Sequence, residues 1–398
     1  MLDFVKKTQG RRDTILQPSY LSLQFWALMQ NNKHSLYNTI HILAVIFVVT
    51  QYVELWIIRK DLELAMRNLS VTMLSTVCIV KSGTFVFWQN SWSDLSNYVS
   101  NLEITQLSKG DAVTNKIIDE YSRYSRRVSR FYKVLISVTV FIVILTPLLS
   151  FLSSSKYRET IRNGTVPYPE ILSSWVPFDR TRGLGYWVVA LVHSVICFYG
   201  GSVVANFDCN AIIIMSFFAG QLRLLSKNCA RLFDDDEELE NFEKASKRIK
   251  ECHLHHFYLV KYSSVLNSLL SPVMFLYVII CSLMLCASAV QLTTEGTGNM
   301  QRIWIAEYLI ALTAQLFLYC WHSNGVFYMS GMVDEGVYFS AWYAQNIRIR
   351  RSILLLGGQL RKMIVFTAGP FTTLNLSTFV AIVKGSYSYY TLLAKQED

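Results

Sequence analysis

Charged side chains are scarce in this sequence. They make up 16% of its 398 residues, whereas soluble domains carry roughly 25%. Hydrophobic residues account for 52%, and the mean hydropathy is +0.30. Several apolar runs approach the length that an α-helix needs to cross a bilayer. The composition therefore excludes an ordinary soluble domain and predicts an all-α protein with several membrane-spanning helices.

Recognisable catalytic motifs are absent as well. The sequence contains no P-loop, no dinucleotide-binding glycine pattern, no HExxH and no GxSxG. Cys252, His255 and His256 have the spacing of one helical face, but a structural zinc site needs a second pair of ligands, and none accompanies them. We therefore predict that the protein is not an enzyme and that it binds neither a metal nor a cofactor.

An apolar leader is missing from the start of the sequence. Residues 1–35 carry Lys and Arg side chains without an early apolar core. No cleavable signal peptide is therefore predicted, and the first span is expected to direct membrane insertion. Internal repeats and low-complexity tracts are not seen either, so the paired halves that many transporters show are not indicated.

Seven apolar segments are predicted to span the membrane. They comprise residues 36–58, 69–88, 134–152, 186–207, 264–290 and 303–324, and a last span within residues 369–393. The last span follows Gly369 and Pro370, and from Phe371 onward its apolar residues recur at helical spacing. A charged segment, residues 223–261, separates the fourth and fifth spans and has the pattern of a long, solvated helical hairpin.

The distribution of positive charge predicts the orientation of the spans. The loops that share a side with the N-terminus hold 25 Lys and Arg residues, and those on the opposite side hold 10. The N-terminus is therefore predicted to be cytoplasmic and the C-terminus extracellular, the reverse of a G-protein-coupled receptor. The sequon at Asn163 then lies outside, where it is a candidate glycosylation site. The net charge of +9 is attributed to the loops, and no nucleic-acid partner is expected.

Three polar residues inside the predicted spans leave alternatives open. Lys81, in the second span, faces a cavity, a partner or the inner water layer, or else its long side chain reaches out to the interface. His193, in the fourth span, is either a packing histidine or a contact for a ligand. Glu307, in the sixth span, either lines an outer cavity or lies at the interface.

The last span also carries a stripe of small polar residues. The stripe comprises Thr372, Asn375, Thr378, Gly385, Ser386, Ser388 and Thr391. A span that faces lipid all round has no use for such a stripe, whereas helices that pack closely or line water do. Close packing and a water-lined face are both consistent with the sequence.

The same stretch resembles one known family. The segments PFTTLNLSTF (residues 370–379) and KGSYSYYTLL (residues 384–393) are similar to the final span of insect odorant receptors. The chain length, the seven spans, their orientation and the short loop before the sixth span fit this family too. The long insertion that the family's co-receptor carries before the fifth span is absent, so the chain resembles a ligand-selective subunit.

The resemblance implies the insect odorant receptor channel fold and an odorant-gated, non-selective cation channel. Such subunits form a heterotetramer with the odorant co-receptor in the plasma membrane of olfactory neuron dendrites, surrounded by lipid, and conduct monovalent and calcium cations. Residues 1–208 would bind the odorant, and residues 209–398 would supply cytoplasmic anchor helices and the pore-lining last helix. Leu392 would form a hydrophobic gate by dewetting. The expected pore residues are Ser388, Leu392, Lys395 and Gln396.

The resemblance also implies a dry odorant pocket in the outer half of spans two, three, four and six. A small volatile is held there mainly by desolvation and dispersion. Depth and helical side select the candidates Met73, Thr76, Val77, Thr146, Ser150, Trp187, Ala190, His193, Trp304 and Tyr308. A gustatory-type ligand-gated channel, and after it a seven-span G-protein-coupled receptor, are the alternative functions.

Overall fold

The structure, a computed structural model of the chain, describes residues 14–16, 22–23, 35–153, 159–161, 168, 170–178, 183–233, 242–293 and 299–397. Within these ranges the chain is predominantly α-helical, which confirms the predicted all-α class. The described part excludes Asn163 and the acidic run at residues 234–238.

Ten α-helices are assigned as elements in the described part of the chain. They are α1 (Ser35–Ile58), α2 (Leu62–Phe87), α3 (Gln89–Ser108), α4 (Ala112–Ser153), α5 (Gly183–Ala230), α6 (Phe242–Thr293), α7 (Asn299–Gly331), α8 (Val333–Tyr338), α9 (Ile347–Leu360) and α10 (Leu376–Glu397). A 3-10 turn at Trp342–Ala344 precedes α9. A two-stranded antiparallel hairpin, β1 (Thr367–Ala368) and β2 (Thr372–Thr373), precedes α10.

Five of these helices are long and apolar enough to cross a membrane, judged by length and composition alone. Their candidate segments are Thr39–Ile58, Asn68–Phe87, Ala112–Pro147, Gly183–Ala230 and Phe242–Ser288. At the positions of the predicted sixth and seventh spans, α7 and α10 are helices of 33 and 22 residues. Every predicted span therefore coincides with a helix, and the first five also have the composition of a span.

The longest helices extend well beyond a bilayer. α4, α5 and α6 contain 42, 48 and 52 residues, which corresponds to roughly 63, 72 and 78 Å at 1.5 Å per residue. The hydrocarbon core of a membrane is only about 30 Å thick. The helical hairpin predicted for residues 223–261 is thus formed by the continuations of α5 and α6 outside the bilayer. We call the part outside the bilayer the anchor. It comprises α3, α8, α9 and the adjoining ends of α4, α5, α6 and α7.

α5 forms the centre of the molecule. Its residues from Val203 to Leu225 are almost all buried, because α4, α6 and α7, together with α2 and α8, surround it. A helix that is apolar on every side is stable only in such a position. Close packing requires glycine at position 336 of α8, since a Cβ there would overlap the carbonyl oxygen of Ser226. The division between residues 208 and 209, proposed from the sequence, falls inside this continuous helix.

The last helix begins later than its apolar pattern predicted. Gly369 has a positive φ of 66°, and its N–H donates to the carbonyl oxygen of Ser271 at 3.1 Å, which holds the hairpin against α6. α10 starts only at Leu376, where the side-chain oxygen of Asn375 accepts the N–H of Thr378 at 2.8 Å and caps the first turn. The prediction of helix from Phe371 was wrong because the turn at Gly369 and this cap take precedence over apolar spacing.

Candidate functional site

The predicted pocket residues of α2 face two different neighbours. The hydroxyl of Thr76 lies 2.9 Å from the hydroxyl of Tyr52 on α1 and donates to the carbonyl oxygen of Thr72 at 2.8 Å. Val77 is buried in the main core, and Met73 packs against that core from a half-buried position. This helix therefore presents a polar contact toward α1 and an apolar surface toward the interior.

His193 of α5 is the centre of a second group of contacts. Its Nε2 lies 2.9 Å from the hydroxyl of Ser174, and its ring packs edge-on against Phe47 of α1 at a centroid distance of 5.6 Å. Ala190, one turn earlier, is half-buried. Trp187 is 70% exposed and lies apart from this group. The structure thus brings His193 together with α1 and with the segment before α5.

The remaining pocket candidates lie on α4 and α7. Thr146 is half-buried, and its hydroxyl donates to the carbonyl oxygen of Ile142 at 2.6 Å. Tyr308 is buried in the same core as Val77. Ser150 and Trp304 lie within α4 and α7, in positions where the structure describes only the backbone. Two groups can therefore be distinguished: a contact group around His193, where α5 meets α1, and a core group around Val77 of α2 and Tyr308 of α7.

Two cavities lie outside this predicted set. An open cleft of about 440 Å³ is formed between α3 and α6 and is lined by Asp94, Asn97, Tyr98, Asn101, Leu102, Thr105 and Tyr262. A groove of about 200 Å³ lies between α4 and α5 and is lined by Ser22, Lys133, Ile136, Ser137, Val140, Phe141, Phe198, Gly201, Ser202, Ala205 and Asn206. Neither cavity contains a residue of the predicted pocket.

A charged pair is fully buried where the predicted spans adjoin the anchor. The Lys81 ammonium of α2 lies 2.6 Å from Oδ1 of Asp208 on α5, and both side chains have no exposed surface. Lys81 Nζ also lies 5.5 Å from the ring centroids of Phe207 and Tyr277. Of the alternatives that the sequence left open for Lys81, the partner is confirmed, and the extension to the interface is wrong because Asp208 satisfies the charge inside the protein.

Three neutral donors complete the environment of Asp208. The Tyr132 hydroxyl of α4 and the Gln315 amide of α7 both donate to Oδ2 at 2.6 Å, and the Tyr319 hydroxyl of α7 donates to Oδ1 at 2.6 Å. With Lys81 there are two donors to each carboxylate oxygen, which occupies the acceptor capacity of the group. We call Lys81, Tyr132, Asp208, Gln315 and Tyr319 the Asp208 hub. It joins α2, α4, α5 and α7.

Asp208 was not predicted as a site residue, because the apolar pattern put the end of the fourth span at Phe207. Asp208 therefore fell just past that span and was assigned no role. One signal pointed to it, since a lysine within a span needs an opposite charge at a similar depth. A polar contact also links α4 and α7 farther from the anchor, where the Thr139 hydroxyl donates to Glu307 at 2.5 Å.

The last helix has one packed face and one exposed face. Phe379 packs edge-on against Phe317 of α7 at 5.5 Å, and the Ser386 hydroxyl lies 3.4 Å from the carbonyl oxygen of Ser282 on α6. Ser388 is exposed, and its hydroxyl donates to the carbonyl oxygen of Lys384. The pore candidates Leu392, Lys395 and Gln396 continue the same helix, with only their backbone described. Close packing therefore applies to Ser386, and a water-lined face stays a prediction for the exposed Ser388.

A second buried acid lies in the anchor. Glu103 of α3 accepts the Ile15 N–H at 3.0 Å and the Tyr121 hydroxyl at 2.7 Å. Burial raises the pKa of Glu103 to about 7, although these two hydrogen bonds and the charge of Arg126 act in the opposite direction. This carboxyl group attaches residues 14–16 to the anchor and was not identified from the sequence, because the partners are far apart along the chain.

The anchor also exposes a large apolar surface. Ile349, Ile353, Leu356 and Leu360 of α9 are buried against the rest of the anchor, while Leu354 and Leu355 on the opposite face are 77% and 76% exposed. Further exposed apolar and aromatic residues nearby along the chain are Tyr338, Phe339, Tyr343 and Ile347. Contiguous apolar surface outside a membrane is typical of a protein–protein interface.

Comparisons with known proteins agree on one family. The model of the family described as "7tm Odorant receptor" matches residues 61–387. Odorant receptor Or2 of Anopheles gambiae is 29% identical over 147 residues, which is 37% of this chain and 39% of that receptor. Odorant receptor 10 of Aedes albopictus is 26% identical over 54% of this chain and 57% of that receptor. Odorant receptor 82a of Drosophila melanogaster is 24% identical over 90% of this chain and 92% of that receptor. The chain thus spans less than two thirds of the first two relatives and nearly all of the third.

A solved structure shows the same fold. The insect olfactory receptor OR5 from Machilis hrabei, in complex with eugenol, superposes with a TM-score of 0.77 over 96% of this chain and all of that chain, at 16% identity. A second structure of the same receptor gives a TM-score of 0.76. The predicted insect odorant receptor fold is confirmed, as is the prediction that the chain is not an enzyme.

Proposed function

Because this chain belongs to the 7tm odorant receptor family, we propose that it is the odorant-binding subunit of a ligand-gated, non-selective cation channel. In this proposal it forms a heterotetramer with the odorant co-receptor in the plasma membrane of olfactory neurons. A small volatile ligand shifts the assembly toward a conducting state, and monovalent and calcium cations pass through a shared pore. The match to the odorant receptor family favours this function over a gustatory channel and a G-protein-coupled receptor.

The proposed assembly into a tetramer rests on the exposed apolar face of the anchor. Leu354 and Leu355 are each about three-quarters exposed on a helix whose other face is already buried. No lipid covers residues beyond the bilayer, and burying apolar surface is favourable by about 25 cal/mol per Å². An adjacent subunit that covers α9 removes this surface from water. The anchor is therefore the expected contact between subunits.

The exposed face of α10 supports its role as the pore helix. Ser388 and Tyr387 are exposed, and in the proposed tetramer they face either the pore axis or another subunit. Leu392 lies one helical turn beyond Ser388 and supplies the hydrophobic gate, because a ring of apolar side chains closes a pore by dewetting. Lys395 and Gln396 follow at the outer mouth, where the lysine charge tunes the conductance of cations.

The two groups of pocket residues support a small, largely apolar ligand. The ligand would lie between the contact group around His193 and the core group around Val77 and Tyr308, with a hydroxyl such as that of Thr76 fixing its orientation. The Machilis receptor was solved with eugenol, and we propose a ligand of similar size for this chain. Such a ligand opens the pore only to the extent that it binds the open state more tightly than the closed state.

The proposed topology is the one that the positive charge predicts. The N-terminus and the anchor lie in the cytoplasm, and the C-terminus and Asn163 lie outside, where Asn163 is glycosylated. Endoglycosidase treatment of the surface-expressed chain and of Asn163→Gln tests this. If treatment changes the gel mobility of the wild-type chain and not that of Asn163→Gln, the topology is supported. If treatment leaves the mobility of the wild-type chain unchanged, glycosylation at this site is contradicted.

Whole-cell recording tests the channel function. We expect a cation current within a fraction of a second of applying volatiles from a panel that includes eugenol, and only when this chain and an odorant co-receptor are expressed together. Leu392→Ala is expected to increase the current without odorant, because the gate loses apolar surface. Co-purification tests the assembly. Leu354→Ala, on the exposed anchor face, is expected to reduce the amount of co-receptor that co-purifies with this chain.

The control for both measurements is Leu64→Ala, because Leu64 is an exposed leucine on a different helix, α2. It lies away from both the gate and the anchor, so its currents and its recovery with the co-receptor are expected to match those of the wild type. An odour response that persists without the co-receptor and depends on G proteins, with Leu392→Ala unchanged, would contradict the proposal.

A further inference from the structure

The Asp208 hub lies one to two helical turns closer to the anchor than the core group of the predicted pocket. On α2, Val77 and Lys81 are separated by one helical turn and therefore lie on the same face, roughly 6 Å apart along the axis. On α7, Tyr308 and Gln315 are separated by two turns, roughly 10 Å, and also share a face. A ligand that displaces Val77 or Tyr308 therefore acts on helices whose next inward contacts belong to the hub.

α7 also connects the hub to the last helix, α10. Phe317 of α7 lies between the hub residues Gln315 and Tyr319 in the sequence and packs against Phe379 of α10 at a centroid distance of 5.5 Å. Tyr277 of α6, whose ring lies beside Lys81, donates its hydroxyl to the carbonyl oxygen of Leu312 on α7 at 3.2 Å. A shift of α7 at the hub therefore moves the contact that α10 makes through Phe379.

The bonding pattern of Asp208 favours discrete positions of α7 over a gradual change. Gln315 and Tyr319 donate to different oxygens of one carboxylate, so a rotation or translation of α7 breaks both bonds together. A buried charged group that loses donors without replacement is strongly disfavoured. α7 is therefore held either in this arrangement or in another that supplies Asp208 with new donors.

Stability alone is a weak reason for such a group. Replacing a buried ion pair by apolar residues of similar size is often neutral or stabilising, while the best supported role of buried polar groups is to select one arrangement among several. Here the arrangement concerns four helices, and Asp208 is the point at which all four meet.

We infer that the Asp208 hub is a positioning device for gating, which sets the position of α7 and thereby the contact between Phe317 and Phe379 that links the odorant pocket to the pore helix. Gln315 and Tyr319 are the positioning residues, and Lys81 supplies the charge that keeps Asp208 in the core. This inference rests on the proposed channel function, and it adds a residue-level route from the pocket to α10.

The first experiment measures gating per channel. Tyr319→Phe removes one hydroxyl and keeps the ring, and Gln315→Leu removes the amide. Tyr328→Phe is the matched control, because Tyr328 lies on the same helix and is 61% exposed. Each chain is expressed with the odorant co-receptor, and currents are divided by the amount of chain at the cell surface. The probe is the volatile that gives the largest wild-type current in a panel containing eugenol.

We expect Tyr319→Phe and Gln315→Leu to change the odour-free current, or the concentration that gives half the maximal current, at least fivefold, with Tyr328→Phe within twofold of the wild type. A hub that only stabilises the fold would lower the surface amount and leave both normalised quantities within twofold. That second result would overturn the inference.

A second experiment does not depend on channel activity. Phe317→Cys and Phe379→Cys are combined in a Cys320→Ser background, since Cys320 also lies beside Phe379. Disulfide formation in cell membranes, driven by copper phenanthroline, is followed by the loss of thiols that react with a maleimide-linked polymer. We expect Tyr319→Phe or Gln315→Leu to change its rate at least fivefold, and Tyr328→Phe to leave it within twofold.

The two experiments separate the inference from the proposed function. If the wild type gives no odour-dependent current, the proposed function fails, and the cross-linking rates still show whether the hub positions α7 against α10. If currents appear and neither the normalised gating nor the cross-linking rate responds to the hub variants, the inference fails and the channel function stands.

Discussion

Asp208 and Glu103 are both buried carboxyl groups, and they are compensated in different ways. Asp208 lies 2.6 Å from the Lys81 ammonium and accepts three further hydrogen bonds. Glu103 accepts one backbone N–H and one tyrosine hydroxyl, with no ion pair to it among the described residues. Burial is equally complete at the two groups. The comparison shows that two equally buried carboxyl groups are compensated differently, Asp208 by a direct opposite charge together with hydrogen bonds, and Glu103 by hydrogen bonds alone.

The consequence differs between the two regions. In the span bundle, the Asp208 hub fixes four helices relative to one another through a charge that has its partner inside the protein. In the anchor, burial raises the pKa of Glu103 to about 7, so the group that attaches residues 14–16 changes its charge near neutral pH. The first centre depends on the integrity of a pair, and the second depends on the pH of the surrounding solution.

The largest effect is expected from Lys81→Met. This change leaves the Asp208 carboxylate buried without its cation, and breaking a buried pair on one side destabilises a protein by about 3–5 kcal/mol. We expect a clearly lower melting temperature of the purified chain in detergent. Lys227→Met, at an exposed position of the anchor, is the control and is expected to melt within about 0.5 kcal/mol of the wild type. Equal melting of the two variants would contradict a charged pair at this position.

Glu103→Gln is expected to have the next largest effect, and only in part of the pH range. The folded pKa, about 7, lies above the ordinary value of 4.5, so the folded protein holds a proton that the unfolded chain releases between these values. The wild type therefore loses stability relative to the variant as pH rises from about 5 to 7, by at most about 3 kcal/mol at 1.4 kcal/mol per pKa unit. Above about pH 8 the difference levels off.

Melting temperatures of the wild type and Glu103→Gln across pH 5 to 8.5 measure this change. Glu251→Gln, at an exposed position of α6, corrects for the loss of one negative charge. A difference between the wild type and Glu103→Gln that stays constant with pH would show that Glu103 does not titrate in this range.

The smallest effects are expected from paired hydroxyl deletions. Tyr132→Phe removes a bond to a carboxylate whose cation is present, and bonds to charged groups contribute about 1.5–3 kcal/mol. Tyr121→Phe removes a bond to Glu103, which is largely protonated at pH 6, and a neutral bond contributes about 1 kcal/mol. At pH 6 we therefore expect Tyr132→Phe to melt lower than Tyr121→Phe. The reverse order would mean that the two centres do not differ as described.

The helices of the span bundle were predictable from the sequence because a chain in lipid has few choices. Backbone groups in the hydrocarbon core must be satisfied within the segment, so an apolar run of sufficient length forms a helix. Each of the seven predicted segments coincides with a helix for this reason. The start of α10 was predicted wrongly because a positive φ at Gly369 and the cap at Asn375 are local backbone features that an apolar pattern does not reveal.

The Asp208 hub was not predictable to the same degree. Lys81 stood out as an unusual charge in a span, but its partner lies 127 residues away in the sequence. Asp208 is the one charged residue between Arg182 and Arg223, but the predicted end of the fourth span at Phe207 left it outside the spans. The contacts of His193 with Phe47 and Ser174 were unpredictable for the same reason, since they depend on how α1 and α5 meet. Tertiary packing decides these contacts, and local patterns contain little information about it.

A double-mutant cycle on Lys81 and Asp208 tests the central claim most directly. The melting of Lys81→Met, of Asp208→Leu and of the double variant is compared with that of the wild type at pH 7. If the two charges compensate each other in the core, each single variant leaves the other charge unpaired, and the double variant is destabilised by less than the sum of the singles by about 2 kcal/mol or more. Additive effects would show that Lys81 and Asp208 contribute independently and would contradict the account.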